Sequence, residues 1–160
     1  MPWSWKTTIW KDLATKLWMN FLDFDDDVIE KVMNKTVWEK LIELWEEKFI
    51  QMEENLALDL DIQNTVLCTS GSLPLSDKAM IKLKKLWKVI YLNINIEVVK
   101  QRLSIMKVDR IIWMDNMTLE EILIYRKSFY EKSFNYEFKL DTKWTKEEIF
   151  KVFFDWFIKI

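Results

Sequence analysis

The most informative stretch of this 160-residue chain is Trp3-Ser4-Trp5-Lys6-Thr7-Thr8. With glycine in place of each tryptophan it would read Gly-Ser-Gly-Lys-Thr-Thr, the second half of a phosphate-binding loop (P-loop) that joins a strand to a helix. Such a loop binds phosphate through backbone N–H groups and a helix N-terminus, and its glycines allow close approach. The spacing predicts that Lys6 reaches the β- and γ-phosphates of a nucleotide and that the Thr7 hydroxyl binds Mg²⁺.

Glycine and tryptophan occur in unusual numbers. The chain has one glycine and ten tryptophans, whereas average usage predicts about eleven glycines. Trp18 and Trp87 follow helical patterns, where a chain often enters the left-handed region and glycine is preferred, and Trp45 follows an apolar run. We hypothesise that many tryptophans are encoded by UGA codons that the source cell reads as glycine, as some bacterial lineages do. The alternatives are a genuinely tryptophan-rich core or a designed chain, and Trp38 and Trp156 fit either.

Charge and composition limit the class of protein. Half of the residues are apolar and 31% are charged, which is typical of one globular domain with a real core. The net charge of −2 gives no reason to expect nucleic acid or an anionic membrane as partner. No apolar run approaches the ~18 residues of a membrane span.

Histidine and cysteine usage narrows the chemistry. Cys68 is the single cysteine and there is no histidine, so zinc sites and Ser-His or Cys-His catalysis are excluded. Phosphoryl transfer needs neither residue. A lone cysteine and the lack of a signal-peptide pattern favour a reducing, cytoplasmic location.

Helical and strand patterns alternate along the chain. Periodic apolar residues predict helices over residues 7–17, 28–33, 46–60, 76–86, 97–106 and 118–132, and from 145 to the end. Capping boxes begin at Thr36, Thr118 and Thr145. Strands are predicted over residues 21–25, 65–69, 88–94 and 136–140. The alternation predicts an α/β fold of three layers, a mainly parallel sheet with helices on both faces.

One strand is missing from this pattern. A phosphate-binding loop follows a strand, but none is predicted ahead of Trp3. We therefore expect that a central N-terminal strand is absent through truncation and that its neighbours are left unpaired.

Several motifs of one enzyme family occur in a fixed order along the chain. The motif Gly-x-Gly-Lys-[Ser/Thr]-Thr is matched by Trp3–Thr8, with both glycines replaced. An Asp-x-Asp after the second strand is matched by Asp23-Phe24-Asp25, and Gly-Glu-x-x-Phe-Arg-x-x-Glu is matched by Trp45–Glu53. With these motifs the chain resembles the shikimate kinase family of P-loop kinases, from Trp3 to about Glu148.

The later motifs of the family follow in the same order. Its Gly-Gly-Gly loop is matched by Ser70-Gly71-Ser72, and its Arg-x-x-x-Tyr helix by Arg126–Tyr130. Arg110 resembles the lid arginine, and Asp141-Thr142 resembles the adenine-side loop. The resemblance implies a single domain over residues 1–160, with a substrate-binding helical segment at about 30–62 and a lid at about 107–116.

The resemblance implies a role for each matching residue. The ATP phosphates would be held by Trp3, Ser4, Trp5, Lys6, Thr7, Thr8 and Arg110. Thr7 and Asp23 would hold Mg²⁺. Asp25 would accept hydrogen bonds from the substrate and take the proton of the attacking hydroxyl. Arg126 would pair with the substrate carboxylate near Gly71, and Arg110 would close over the γ-phosphate.

The implied activity is ATP-dependent phosphorylation of a hydroxyl of shikimate or a related small hydroxy acid, a step in aromatic amino acid biosynthesis. Mg²⁺ is the expected cofactor, ATP the donor and a monomer the expected state. Two departures lie in the acceptor site: Ile50 replaces a second carboxylate-binding arginine, and Ser70 and Ser72 flank Gly71.

Three alternatives stay open. The departures leave room for another acceptor. The chain as written is also compatible with a degenerate, non-catalytic domain, because the indoles of Trp3 and Trp5 would fill the volume meant for phosphates. Finally, Arg126 could be an ordinary surface cation and Asp23–Asp27 a solvated strand end.

Overall fold

Helices and strands alternate through the computed structural model, which describes residues 6–105, 117–141 and 143–160. The helices are α1 (Lys6–Leu17), α2 (Lys31–Met33), α3 (Val37–Asp59), α4 (Asp77–Leu86), α5 (Ile96–Ile105), α6 (Leu119–Tyr130) and α7 (Lys146–Phe157). The strands are β1 (Asn20–Asp23), β2 (Thr65–Cys68), β3 (Ile90–Asn93) and β4 (Tyr136–Lys139). A π-helical segment, Phe24–Glu30, joins β1 to α2, and a 3-10 turn, Leu73–Leu75, precedes α4. The predicted α/β fold is confirmed. Within the described ranges, no helix is long and apolar enough to cross a membrane.

The three predicted capping boxes are formed at Thr36, Thr118 and Thr145. In each, the threonine hydroxyl accepts a hydrogen bond from the backbone N–H of the glutamate three residues later. The glutamate carboxylate accepts one from the threonine N–H in return. An N-cap of this kind stabilises a helix by about 1 kcal/mol, so α3, α6 and α7 begin where the sequence indicates.

β1 is shorter than predicted. The strand predicted over residues 21–25 ends at Asp23, and Phe24 already belongs to the π-helical segment. The Asp23 carboxylate accepts a hydrogen bond from the Asp25 N–H at 3.1 Å, while the Asp23 N–H donates to the Asp27 carboxylate at 2.8 Å. Acidic residues favour a helix N-terminus, so the chain turns at its own carboxylates and leaves Asp25 just beyond the strand.

The strands form two parallel pairs. β1 pairs with β2, with Asp23 opposite Cys68, and β3 pairs with β4, with Asn93 opposite Lys139. In the described part of the chain no ladder joins β2 to β3. A cavity of about 420 Å³, lined by residues of both strands, lies between them and is called the inter-sheet slot below. The slot leaves most of β2 half-buried where the sequence predicted a buried strand.

A separate apolar core lies on each side of the inter-sheet slot. The first surrounds β3 and β4 and draws on α1, α5, α6 and α7; among its buried side chains are Ile9, Leu92, Ile122, Ile149 and Phe153. The second joins the π-helical segment to α3 and α4 through Phe24, Ile29, Phe49, Ala57 and Leu83. The slot therefore divides the hydrophobic interior at the centre of the fold.

Two tryptophans have backbone conformations that favour glycine. Trp18 follows α1 with φ of 56°, the left-handed region that the sequence predicted. Trp45 interrupts α3 with φ of 59° and ψ of 169°, a region that is essentially restricted to glycine. Their side chains are 91% and 78% exposed, so packing of the indoles does not account for these conformations. The left-handed prediction is wrong for Trp87, which is extended at φ −136° and ψ 162° because the chain passes there towards β3.

Replacing Trp45 with glycine is expected to stabilise the fold. A residue with a Cβ in this region stores about 1–3 kcal/mol of strain, partly offset by the greater freedom of glycine in the unfolded chain. We expect Trp45→Gly to raise the free energy of unfolding in urea by about 1–2 kcal/mol. The matched control is Trp45→Ala, which removes the indole but keeps the Cβ and should gain much less. Equal effects of the two substitutions would show that the backbone is not the cause.

Candidate functional site

The first turn of α1 is bonded to the carboxyl ends of β1 and β2. The Lys6 ammonium donates to the Thr69 carbonyl oxygen at 2.8 Å and lies 3.9 Å from the Cys68 sulfur. The Thr7 hydroxyl donates to the Asp23 carboxylate at 3.1 Å. Because Asp23 and Cys68 are opposite each other in the ladder, these contacts place Lys6 and Thr7 at the edge where parallel strands end. Thr8 follows in the same turn of α1.

Lys6 is held as a cation in a half-buried position. Burial is the largest single influence on it and would lower its pKa, but the combined effect of Cys68, Asp25 and Asp23 outweighs burial and raises the pKa of Lys6. Burial raises the pKa of the Cys68 thiol to about 11, so the thiol is neutral at pH 7. The two carboxylates are therefore the negative charges that keep Lys6 protonated.

Thr7 and Asp23 together offer the kind of ligands that Mg²⁺ prefers. A hydroxyl and a carboxylate oxygen are in contact at 3.1 Å, and Mg²⁺ in phosphate-binding sites takes few protein ligands and keeps several waters. Among the described residues no group of three or more His, Cys, Asp or Glu side chains is placed to hold a metal ion. The donor set fits a magnesium ion shared with phosphates and does not fit a cage made by the protein alone.

A second group of polar residues surrounds the Ser70-Gly71-Ser72 loop. The Tyr130 hydroxyl, from α6, donates to the Gly71 carbonyl oxygen. The Ser70 hydroxyl accepts from the Leu73 N–H at 2.9 Å and so fixes the turn into the 3-10 segment. Arg126, one turn before Tyr130, is only 4% exposed. The reading of Arg126 as a surface cation is therefore wrong.

Glu53 lies beneath this loop and is fully buried, with 0% exposure. Neither carboxylate oxygen has a hydrogen-bond partner among the described residues. Burial, helped by the charge of Asp25, raises the pKa of Glu53 to about 7, although Ser70, Ser72 and Arg126 oppose the shift. The carboxyl group is thus close to half-protonated at neutral pH.

Sequence reasoning assigned no role to Glu53, although a signal was present. Phe49, Glu53 and Ala57 recur every four residues on α3, and all three are buried. A carboxylate on the buried face of an amphipathic helix indicates a structural or functional role, because burying its charge costs free energy. Ile50, on the same helix, packs partly buried against the second core, so no cation stands at that position.

Some of the predicted site residues are brought together and others are not described. Lys6, Thr7, Asp23 and Asp25 converge at the ends of β1 and β2, and Gly71 and Arg126 belong to the neighbouring polar group. Trp3, Ser4, Trp5 and Arg110, with the lid at 107–116, lie outside the described residues. The roles of all these residues stay predictions.

The chain matches the family model for shikimate kinase over residues 4–157. It is 32% identical to the shikimate kinase of Alkaliphilus oremlandii, with 91% of this chain and 88% of that protein covered. It is 31% identical to threonine synthase-like 1 of Macaca fascicularis over 92% of this chain. A solved structure of shikimate kinase from Bacteroides thetaiotaomicron superposes with a TM-score of 0.76 at 27% identity, covering 98% of this chain and 93% of that one.

The two relatives differ greatly in length. The chain spans 20% of threonine synthase-like 1, so that likeness concerns one part of a much longer protein. The likeness to the bacterial kinases extends over nearly the whole of both chains.

The state of Glu53 predicts how stability changes with pH. The pKa of Glu53 is about 7 in the folded chain against an ordinary 4.5, so the folded state binds the proton more tightly. The contribution of Glu53 to the free energy of unfolding has its full value below pH 4.5 and is lost as the pH rises through 7. We expect Glu53→Gln to abolish this decline and to be the more stable form at pH 8, by up to about 3 kcal/mol.

Urea denaturation between pH 5 and pH 8 measures the effect. Glu54→Gln is the matched control, because hydrogen bonds from Ser76 and neighbours lower the pKa of Glu54 and its titration falls below this range. If the unmodified chain and Glu53→Gln show the same pH slope, Glu53 is not protonated as described.

Proposed function

The chain belongs to the shikimate kinase family, and we propose that it transfers the γ-phosphoryl group of ATP to a hydroxyl of a small hydroxy acid, with shikimate as the leading acceptor. The observation that carries the proposal is the contact of Lys6 and Thr7, in the first turn of α1, with the ends of two parallel strands. Phosphoryl transfer depends on positioning and on electrostatic stabilisation more than on covalent chemistry by the protein. A half-buried cation at a helix N-terminus supplies both.

Lys6 and α1 form the donor side of the proposed site. The Lys6 ammonium, now bonded to the Thr69 carbonyl oxygen, can exchange that neutral acceptor for phosphate oxygens, which bind a cation more strongly. Thr7 and Asp23 would hold Mg²⁺, which when bound neutralises charge on the β- and γ-phosphates. Asp23 is also fixed by the Asp25 N–H, so its carboxylate does not have to be ordered when the ion arrives.

Asp25 is proposed to act between the donor and acceptor sides. Its charge acts both on Lys6 and on Glu53, so it lies within electrostatic reach of both groups of residues. In the proposed step the acceptor hydroxyl oxygen bonds to the γ-phosphorus, the bond from that phosphorus to the oxygen bridging to ADP breaks, and Asp25 takes the hydroxyl proton. Arg126 would pair with the carboxylate of the acceptor, and Arg110 would neutralise charge on the γ-phosphate.

Ile50 bears on which acceptor is used. With an apolar side chain at this position, Arg126 is the guanidinium that the described site offers to a carboxylate. A single bidentate pair still selects an acid, but it discriminates less than two arginines would. A hydroxy acid other than shikimate, or a polyol, is therefore the first alternative acceptor.

A degenerate, non-catalytic domain is the second candidate for the chain as written, because Trp3 and Trp5 replace the glycines of the phosphate-binding loop. We expect the chain as written to show no micromolar binding of Mg-ATP in calorimetry. Trp3→Gly with Trp5→Gly, in a chain that also carries an added N-terminal strand, should bind at least about tenfold more tightly, or 1.4 kcal/mol. Lys6→Met in the same glycine background is the control and should remove the gain. A folded glycine variant without nucleotide binding would refute the phosphate-loop assignment.

Assays of enzymatic turnover by the Trp3→Gly, Trp5→Gly variant test the proposed phosphoryl transfer. We expect ADP to form with shikimate present, and Asp25→Asn to lower kcat by about 10²–10⁴-fold while Mg-ATP affinity is kept. A panel of hydroxy acids and polyols decides the acceptor. Turnover of another compound but not of shikimate would show that shikimate is not the acceptor. Binding of ATP without turnover of any acceptor would favour the non-catalytic domain.

A further inference from the structure

A buried carboxyl group lies on the acceptor side of the proposed site without a hydrogen-bond donor. Glu53 of α3 is fully buried, and in the described part of the chain neither of its oxygens has a hydrogen-bond partner. Ser70 and Ser72 lie near enough to favour its charged form, but burial outweighs them. A buried acceptor without a donor costs free energy, and a charged one costs more. Glu53 therefore suits a ligand that brings a donor, above all a cationic one.

Negative charge exceeds positive charge around Glu53. Ile50 is one turn before Glu53 and so lies on the same face of α3, where it packs partly buried against the second core. The charged side chains that act most strongly on Glu53 are Asp25 and Arg126, which gives two carboxylates and one guanidinium when Glu53 is ionised. A ligand carboxylate that pairs with Arg126 would use the one cation and leave Glu53 to be neutralised by the ligand.

An ammonium group on the ligand fits this position better than a metal ion does. Among the residues that the structure describes, no group of three or more His, Cys, Asp or Glu side chains could hold a metal. Arg126, which acts on Glu53, would also repel a free cation. An ammonium in the same molecule as a carboxylate brings the counter-charge for Arg126 with it, and it can donate three hydrogen bonds.

We propose that the acceptor is a small hydroxy amino acid, whose ammonium pairs with Glu53, whose carboxylate pairs with Arg126 and whose hydroxyl faces Asp25. This inference rests on the proposed phosphoryl transfer and names the class of its acceptor. The transfer step is unchanged: the hydroxyl oxygen bonds to the γ-phosphorus, ADP leaves and Asp25 takes the proton. The products are an O-phospho amino acid and ADP.

The Ser70–Ser72 loop controls access to Glu53. Its two serines are buried, whereas Gly71 and Asp25 are half-buried, so the acceptor would enter past these two residues. The loop is attached to α6 by the hydrogen bond from Tyr130 to the Gly71 carbonyl oxygen. Glycine can take conformations that other residues avoid, which allows the loop to move aside as the ammonium reaches Glu53.

Calorimetry on the chain as written measures acceptor binding without ATP, so the result does not depend on the phosphate-binding loop. The probes are L-serine, L-threonine and L-homoserine, each compared with the same compound lacking the amino group. We expect at least one amino acid to bind at least about tenfold more tightly than its counterpart. Equal affinities within every pair, or no binding of any probe, would overturn the proposal.

Substitutions at Glu53 and Ile50 test which residue recognises the ammonium. Glu53→Gln keeps the shape of the side chain, removes its charge and should reduce the preference for the amino compound to below about threefold. The matched control, Glu54→Gln, should keep the preference. Ile50→Arg would supply a cation from α3 and should also remove the preference, whereas Ile50→Met should keep it. A preference that survives Glu53→Gln would contradict the assignment to Glu53.

Proton release gives a readout that a purely structural role of Glu53 would not produce. The pKa of Glu53 is about 7, and the charged or titratable groups that face it are Asp25, Arg126 and Tyr130. Tyr130 stays neutral at pH 7 because burial raises its pKa. Pairing with an ammonium favours the carboxylate, so binding at pH 7 should release about half a proton per ligand. Calorimetry in buffers of different ionisation enthalpy measures this release, and its absence would contradict the pairing.

Turnover by the Trp3→Gly, Trp5→Gly variant with the added N-terminal strand separates this inference from the proposed function. We expect ADP to form with the amino acid that binds most tightly. ADP formation with shikimate but with none of the amino acids would overturn the acceptor class and leave the phosphoryl transfer standing. Selective binding of an amino acid without ADP formation from any acceptor would refute the transfer, and with it the role of the amino acid as acceptor.

Discussion

The hydrogen bonds between the first turn of α1 and the ends of β1 and β2 are the interactions on which the site depends. Lys6 to Thr69 and Thr7 to Asp23 bring a cation, a hydroxyl and a carboxylate to the edge where a helix N-terminus also points. The two hydrogen bonds join α1 to the end of β1 and to the residue that follows β2. The arrangement therefore exists only when the parallel pair and α1 are packed together. Asp23 links this edge to the π-helical segment through its bond from Asp25. The acceptor side is built on the same frame, since the Ser70–Ser72 loop follows β2 and is held from α6 by Tyr130.

Tryptophan stands at positions of this fold where the backbone favours glycine. At Trp45 the backbone is in a conformational region that residues with a Cβ avoid, and at Trp18 it is left-handed. Both indoles nevertheless extend into solvent. The backbone conformation at these two positions is therefore set by the surrounding fold and not by the preference of tryptophan. The same substitution at Trp3 and Trp5 falls where a phosphate-binding loop needs close backbone approach. The hypothesis that UGA is read as glycine would explain both the strained backbone at Trp45 and the presence of tryptophan in the motif at residues 3–8.

The sequence predicted the α/β fold, the helix starts and the strands, because periodicity and capping boxes are local signals. Periodicity and capping patterns did not predict three features: the end of β1, the conformation of Trp87, and the burial of Glu53 and Arg126. β1 ends at Asp23, earlier than predicted, because the Asp23 carboxylate accepts a hydrogen bond from the Asp25 N–H and the Asp27 carboxylate accepts one from the Asp23 N–H. Trp87 is extended because β3 follows directly. Burial of Glu53 and Arg126 follows from how α3 and α6 meet around the Ser70–Ser72 loop, which no single helical pattern reveals. The proximity of Lys6 and Thr7 could be predicted because the two residues are neighbours in one motif, whereas the burial of Glu53 depends on residues far apart in the chain.

The codons at Trp3, Trp5, Trp18 and Trp45 decide whether these tryptophans stand at glycine positions of a phosphate-binding fold. They can be read by sequencing the coding DNA. We expect TGA at all four positions, including the two whose backbone conformations favour glycine. TGG there would mean that tryptophan is the encoded residue, which would overturn the recoding hypothesis and leave a non-catalytic domain as the description of the chain.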